Sequence, residues 1–163
     1  MIREADIHDL TQINEIYNQA VASRFETADL KSWTEDQRLS WYRSCNRSQY
    51  PLLVEEENGF IRGWLSLNPY RNGREALRFT TEISYYVHSS HRRKGVGRAL
   101  VNEALEIARD RDFRVIFAII LDKNTASLSL LKSCGFLEWG YLPDVADFDG
   151  ETCGHSYLGI KLI

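Results

Sequence analysis

Apolar positions along the chain follow two rhythms, one helical and one alternating. Ile7, Leu10, Ile13, Tyr17, Ala20 and Val21 share a helical face, with Asp6 before them as an N-cap and Asp9 in the first turn. The spacing predicts an amphipathic helix over residues 7 to about 22. Thr34 and Gln37 stand at capping-box distance ahead of Leu39 and Trp41, which predicts a second helix ending near Cys45. Ala99, Leu100, Ala104 and Ile107 mark a third over 96–109. A short fourth over 125–134 is stopped by Gly135.

The alternating segments predict strands. The residues around Ile2 form a short first one. Segments 52–54 and 61–67 flank Asn58-Gly59, a strong hairpin signal. Thr81, Ile83, Tyr85 and Val87 alternate with Glu82, Ser84 and Tyr86, giving a strand with two distinct faces. Segment 115–121 is a nearly continuous apolar run, which predicts a buried strand. Two more strands are expected over 136–142 and 155–162, and the polar, arginine-rich stretch 70–78 reads as a loop. The order implies one α/β domain of the α+β kind over residues 1–163. Its sheet is mixed, with six to seven strands and about four helices. Only one or two strand–helix–strand crossovers are present, which excludes a doubly wound dinucleotide fold.

Composition narrows the function. Of 163 residues, 44% are hydrophobic and 26% charged, an ordinary globular profile, and the formal net charge is -3. A generally basic nucleic-acid footprint is absent, so any anion site must be local. No apolar run approaches the roughly 18 residues of a membrane span, and Met1-Ile2-Arg3-Glu4 lacks the layout of a secretory leader. Cys45, Cys134 and Cys153 form neither a CxxC pair nor a metal-like cluster with the four histidines. The expectation is a cytoplasmic protein with free thiols and no metal, partnered by neither membrane nor nucleic acid.

One local patch does suit an anion. The strand ending at Val87 runs into His88-Ser89-Ser90-His91-Arg92-Arg93-Lys94-Gly95-Val96-Gly97-Arg98, and a helix follows. Two glycines at a helix start let backbone amides approach a ligand, and the first N–H groups there lack internal partners. The helix dipole and the cations Arg92, Arg93, Lys94 and Arg98 add positive potential, so phosphate is the natural guest. The Walker pattern and GxGxxG are both absent, which argues against ATP hydrolysis and NAD.

This arrangement resembles the GNAT superfamily of N-acetyltransferases, whose Q/R-x-x-G-x-G/A motif after the fourth strand holds the pyrophosphate of acetyl-CoA. Asn124-Thr125-Ala126-Ser127 followed by Lys132-Ser133-Cys134-Gly135-Phe136 is similar to the family's downstream N-x-x-S…GF segment. Residues 22–29, 50–54, 81–87 and 138–140 resemble the phosphinothricin and methionine-sulfoximine acetyltransferase branch. The resemblance implies acetyl-CoA as acyl donor, with Tyr85, Tyr86 and Val87 beside its pantetheine arm. It implies Arg92, Arg93, Lys94, Gly95, Val96, Gly97 and Arg98 at the pyrophosphate, and Asn124 and Ser133 farther along. A pantetheine arm can pair with an open strand edge as an added strand does.

The chemistry follows. An amine attacks a thioester only as the neutral base, and an aliphatic ammonium has a pKa of about 10.4. Glu82 corresponds to the branch's proposed base, acting directly or through water. A backbone N–H near Val87, aimed by a strand bulge, is expected to stabilise the oxyanion. Many relatives carry a tyrosine, and some a histidine, in the short helix to protonate the departing thiolate. Leu131 stands there, so water, Tyr85, Tyr86 or Tyr141 must serve. By resemblance, Arg71, Asn72, Gly73 and Arg74 contact a small amine acceptor, Phe25 forms an apolar wall, and the protein is a homodimer. The alternatives are acetylation of another small amine or a peptide N-terminus, or a non-catalytic acyl-CoA-binding module.

Overall fold

The computed structural model describes residues 1–162. Its elements are β1 (Ile2–Glu4), α1 (Leu10–Ser23), α2 (Glu35–Ser44), β2 (Leu52–Glu57), β3 (Phe60–Pro69), β4 (Thr80–Val87), α3 (Val96–Asp110), β5 (Val115–Leu121), α4 (Thr125–Ser133), β6 (Leu137–Phe148) and β7 (Glu151–Lys161). The first helix begins as a 3-10 turn over Ile7–Asp9, with Asp6 and Asp9 forming a capping box. Thr34 and Gln37 form the second capping box. Asn58 and Gly59 both adopt left-handed φ, 52° and 79°, as a two-residue hairpin turn requires.

The strands form one seven-stranded sheet in the order β1-β2-β3-β4-β5-β7-β6. Every neighbouring pair is antiparallel except β4 and β5. One face carries α3 and α4. Leu100, Val101, Ala104 and Leu131 pack there on Leu65, Leu67, Ile83, Ile116 and Leu158. The other face carries α1, whose Ile13, Ile16 and Tyr17 pack on Leu52, Val54 and Trp64. Arg38 of α2 is buried in this second layer. Its guanidinium lies 4.4–5.5 Å from the ring centres of Tyr17, Trp33, Trp41 and Trp64. The cations and rings attract through the ring quadrupoles.

Three strands depart clearly from expectation, β7 by starting early, at Glu151. β5 is not buried on both faces. Ile116 and Ala118 lie under α3, while Phe117 and Ile119 on the other face are only half-buried, because α1 does not reach that far across the sheet. β6 continues to Phe148, well past residue 142, with a register shift between Leu142 and Ala146. Pro143 and Asp144 broke the apolar alternation there and hid the extension.

Candidate functional site

The single parallel pair opens the site. β4 meets β5 only at Thr80↔Val115, Thr81↔Ile116 and Glu82↔Phe117. Beyond Glu82 the two strands pair no further among the described residues, while β5 stays paired with β7 up to Leu121↔His155. On its other side β4 remains in unbroken register with β3, from Pro69↔Thr81 to Gly63↔Val87. The expected bulge near Val87 is therefore absent, and the splay frees the backbone instead. The His88 N–H donates to the Arg62 carbonyl at 2.8 Å, which sets the phase of the ladder. Antiparallel alternation then turns the N–H groups of Tyr85 and Val87 away from β3, into the gap.

At the end of this edge the chain bends into α3. Arg93 and Gly95 both take left-handed φ, 59° and 82°. Gly95 is the N-cap and offers no side-chain acceptor. The Ala99 N–H reaches the Gly95 carbonyl at 2.9 Å. The N–H groups of Val96, Gly97 and Arg98 have no acceptor among the described residues, as expected for an uncapped first turn. A Cβ on Gly95 would meet nothing within 4 Å, so the space before the turn is open. Arg93 and Lys94 make no ion pair among the described residues, Arg98 donates to Ser133 Oγ at 2.9 Å, and Arg92 pairs with Glu26. Backbone donors, a helix dipole and cations thus converge, a combination chemically suited to a diphosphate.

Gap and turn form one cleft of about 510 Å³. Tyr85, Tyr86, Val87, Arg92, Arg93, Gly95, Val96, Gly97, Arg98 and Asn124 all line it; Lys94 and Ser133 do not. Glu26, His91, Ala126, Ser127 and Leu130 also line it and were not foreseen. Ser127 had a signal, because Asn124 caps α4 by accepting the Ser127 N–H at 3.2 Å, so the two share the helix start. Glu26 had none, since it meets the loop from 66 residues away.

Glu82 lies outside that lining, on the α1 face of β4 with Ser84 and Tyr86. It is half-buried and has neither a hydrogen-bond nor an ion-pair partner among the described side chains. Burial raises its pKa above the ordinary carboxylate value. Its register partner Phe117 stacks on Tyr70 at 4.8 Å and meets Trp139 edge-on at 5.3 Å. Tyr85 points to the opposite face, where its hydroxyl hydrogen-bonds Ser127 Oγ, and burial pushes its pKa up to about 12. Arg71, Asn72, Gly73 and Arg74 form an exposed turn after Tyr70 and touch no part of the cleft. Phe25 packs edge-on against Phe148 at 4.8 Å, beside Leu121 and Cys153. Leu131 is fully buried in the core beneath α3. Tyr141 is tied to Asp122 at 2.8 Å, away from the cleft lining.

Comparisons with known proteins agree with this geometry. Residues 10–136 match the Acetyltransferase (GNAT) family. The chain is 35% identical over 161 residues to the L-methionine sulfoximine/L-methionine sulfone acetyltransferase of Salmonella typhimurium, covering 99% of this chain and 94% of that protein. An N-acetyltransferase from Staphylococcus aureus Mu50 superposes with a TM-score of 0.95 at 30% identity, over 100% of this chain and 98% of that one. A GNAT superfamily phosphinothricin acetyltransferase from Sinorhizobium meliloti, solved in complex with AcCoA, gives 0.92 at 26% identity, over 99% and 87%.

Proposed function

The chain belongs to the GNAT acetyltransferase family, and from that premise we propose that it acetylates the α-amine of a small amino-acid-like acceptor, of the phosphinothricin or methionine sulfoximine or sulfone type, with acetyl-CoA as donor. The observation that carries this reading is the free edge of β4 running straight into the uncapped start of α3. The diphosphate falls to the Val96–Arg98 N–H groups with Arg92, Arg93 and Lys94. Tyr85 and Val87 offer backbone groups to the two amides of the pantetheine arm. Asn124 lines the cleft farther along, and Ser133 lies outside the lining and reaches it through Arg98.

Bound acetyl-CoA supplies a thioester carbonyl open to attack and a tolerable thiolate leaving group. The chain's own residues supply the rest. Glu82 takes the proton from the acceptor ammonium, and burial, which raises its pKa, makes it a stronger base than an exposed carboxylate. The freed Tyr85 N–H, the gap-facing donor nearer Glu82, stabilises negative charge on the carbonyl oxygen, leaving the Tyr85 carbonyl and the Val87 backbone to the arm. The Tyr85–Ser127 hydroxyl pair lies in the cleft and returns a proton to the thiolate. Phe25 and the Arg71-Asn72-Gly73-Arg74 turn are assigned to the acceptor. Support for the turn is its attachment to Tyr70, which stacks on the register partner of Glu82. An arginine pair suits the acceptor's carboxylate.

The burial of Leu131 is the one observation that favours a binding-only module, since α4 presents no acid at that position. The hydroxyl pair in the cleft supports the catalytic reading instead. A homodimer fits the exposed apolar edge at β6. The cytoplasm fits three free cysteines. No helix among the described residues is long and apolar enough to cross a membrane, and the net charge of -3 disfavours nucleic acid.

An acceptor screen read by mass spectrometry tests the proposal. With acetyl-CoA present, methionine sulfoximine, methionine sulfone and phosphinothricin are expected to gain an acetyl group, and peptides and polyamines to remain unmodified. Reaction confined to peptides would overturn the acceptor assignment. No reaction with any amine, despite a Tm raised by coenzyme A, would leave the binding-only module.

A further inference from the structure

The cleft contains a negative charge of its own. Glu26 reaches into it from the α1–α2 connection and grips Arg92 with both oxygens, Nη1 to Oε1 at 2.8 Å and Nη2 to Oε2 at 3.0 Å. A paired arginine–carboxylate contact is the geometry a phosphate would also seek. The backbone that delivers Glu26 is strained. Arg24 and Phe25 are consecutive non-glycine residues at φ 58° each, a conformation that persists only when its surroundings hold it. Here they do. Phe25 is wedged against Phe148 under the Lys123 ammonium, 4.6 Å from its ring centre, and Arg24 donates to the Phe148 carbonyl at 2.8 Å. Beyond Glu26, Asp29 accepts from Tyr17 and from Trp33 Nε1, the latter at 2.8 Å. The connection is therefore fixed on both sides of Glu26, and among the described residues Glu26 makes its only ion pair across the cleft.

From this geometry we infer that Glu26 is an internal competitor for the donor site: an anion that occupies Arg92 until a diphosphate displaces it, and so loosens the grip on the donor. The inference rests on the reading that this cleft receives the donor's diphosphate. A donor carrying that group exchanges one anion for another at Arg92. A thioester arm without it cannot, and gains nothing from the loop. Glu26 is a positioning residue, since it acts through Arg92 and not on the reacting atoms.

The test compares coenzyme A with pantetheine, which keeps the thiol arm and lacks the diphosphate. Binding is measured by titration calorimetry on the intact protein. Glu26→Gln is expected to tighten coenzyme A by roughly two- to fivefold, the scale of a partly exposed ion pair, and to leave pantetheine unchanged. Glu151→Gln removes an equal charge from the Arg24–Lys123 cluster without touching Arg92, and is expected to leave both affinities unchanged. The inference is overturned if Glu26→Gln weakens or does not alter coenzyme A binding, if both ligands shift together, or if Glu151→Gln has the same effect. Failure of the unsubstituted protein to bind coenzyme A would instead remove the donor reading beneath it.

Discussion

At the scale of single residues, the proposed chemistry turns on Glu82, and its isolation gives it two measurable signatures. Its pKa lies above the ordinary value because burial penalises the charged form. The folded state therefore binds the proton more tightly than the unfolded chain does. The resulting stabilisation is complete below the unfolded pKa and is lost as pH rises through the folded one. Glu82→Gln is accordingly expected to raise Tm at neutral pH and to leave it unchanged in acid, a comparison that two thermal scans make. The same variant is expected to lower kcat by about 10²–10⁴-fold, the usual worth of a positioned base, with coenzyme A affinity unaltered. Activity of the unsubstituted enzyme should climb with pH through a value above the ordinary glutamate pKa. A variant that keeps the parental kcat sinks the base assignment. The alternation of β4 already put Glu82 on the face away from Ile83. Its lack of a partner was not legible, because that depends on which cations α1 and α2 bring across the sheet. The only guanidinium of α2 buried in that layer, Arg38, is enclosed by aromatic rings.

At the scale of elements, the site depends on how closely α3 seats on the sheet, which Gly63 controls, and Gly95 and Gly97 in the turn are constrained for other reasons. A Cβ on Gly63 would lie 2.9 Å from Val96 Cγ1, 3.0 Å from the Tyr86 carbonyl and 3.2 Å from Leu100 Cδ1. The Tyr86 carbonyl belongs to the neighbouring strand β4 and cannot give way, so the new methyl pushes against Val96 and Leu100 and the start of α3 must shift. Gly63→Ala is expected to cost about 1–3 kcal/mol of stability and to weaken coenzyme A binding, since the N–H donors move with the turn. Gly95→Ala meets no atom but must hold φ 82°, at a cost of about 1 kcal/mol. On Gly97 the nearest neighbour is the flexible end of Leu130, at 3.1 Å, so alanine there is expected to have the smallest effect. Denaturant unfolding and coenzyme A titration of the three variants give the order directly. Equal losses at Gly63 and Gly97 would show that seating is not what Gly63 controls. Periodicity and caps made the helices and the Asn58-Gly59 hairpin legible in advance. The role of Gly63 was not, because it lies on β3 and its constraint comes from a helix that begins at Val96.

At the scale of the whole molecule, the feature that no local pattern revealed is the sheet's outer edge. The glycine-rich turn and the strand before it were readable because both are contiguous in sequence. The splay of β4 from β5 and the exposed length of β6 depend on strand order, which residue spacing does not encode. β6 ends the sheet, runs for 12 residues, and leaves Leu137, Leu142 and Val145 exposed at 66%, 43% and 51%. Trp139 and Tyr141 are exposed too, yet both have partners within the chain. The Trp139 ring covers Gly159, and Tyr141 lies over Gly154 with its hydroxyl on Asp122. The three aliphatic residues have no such function in a monomer, and a long apolar edge strand invites pairing or aggregation unless it is covered. Dimerisation through β6 therefore makes a specific demand. Leu142→Lys with Val145→Lys should convert a dimer to a folded monomer in sedimentation equilibrium, and should remove any dependence of Tm on protein concentration. Trp139→Ala, by contrast, should destabilise the protomer itself, because it uncovers Gly159. A parent protein that sediments as a monomer at micromolar concentration would refute the edge as an interface. A double-lysine variant that stays dimeric would move the interface elsewhere. If the variant is monomeric and retains kcat, the acceptor site is complete within one chain; if kcat falls while coenzyme A still binds, the second copy contributes to the acceptor side.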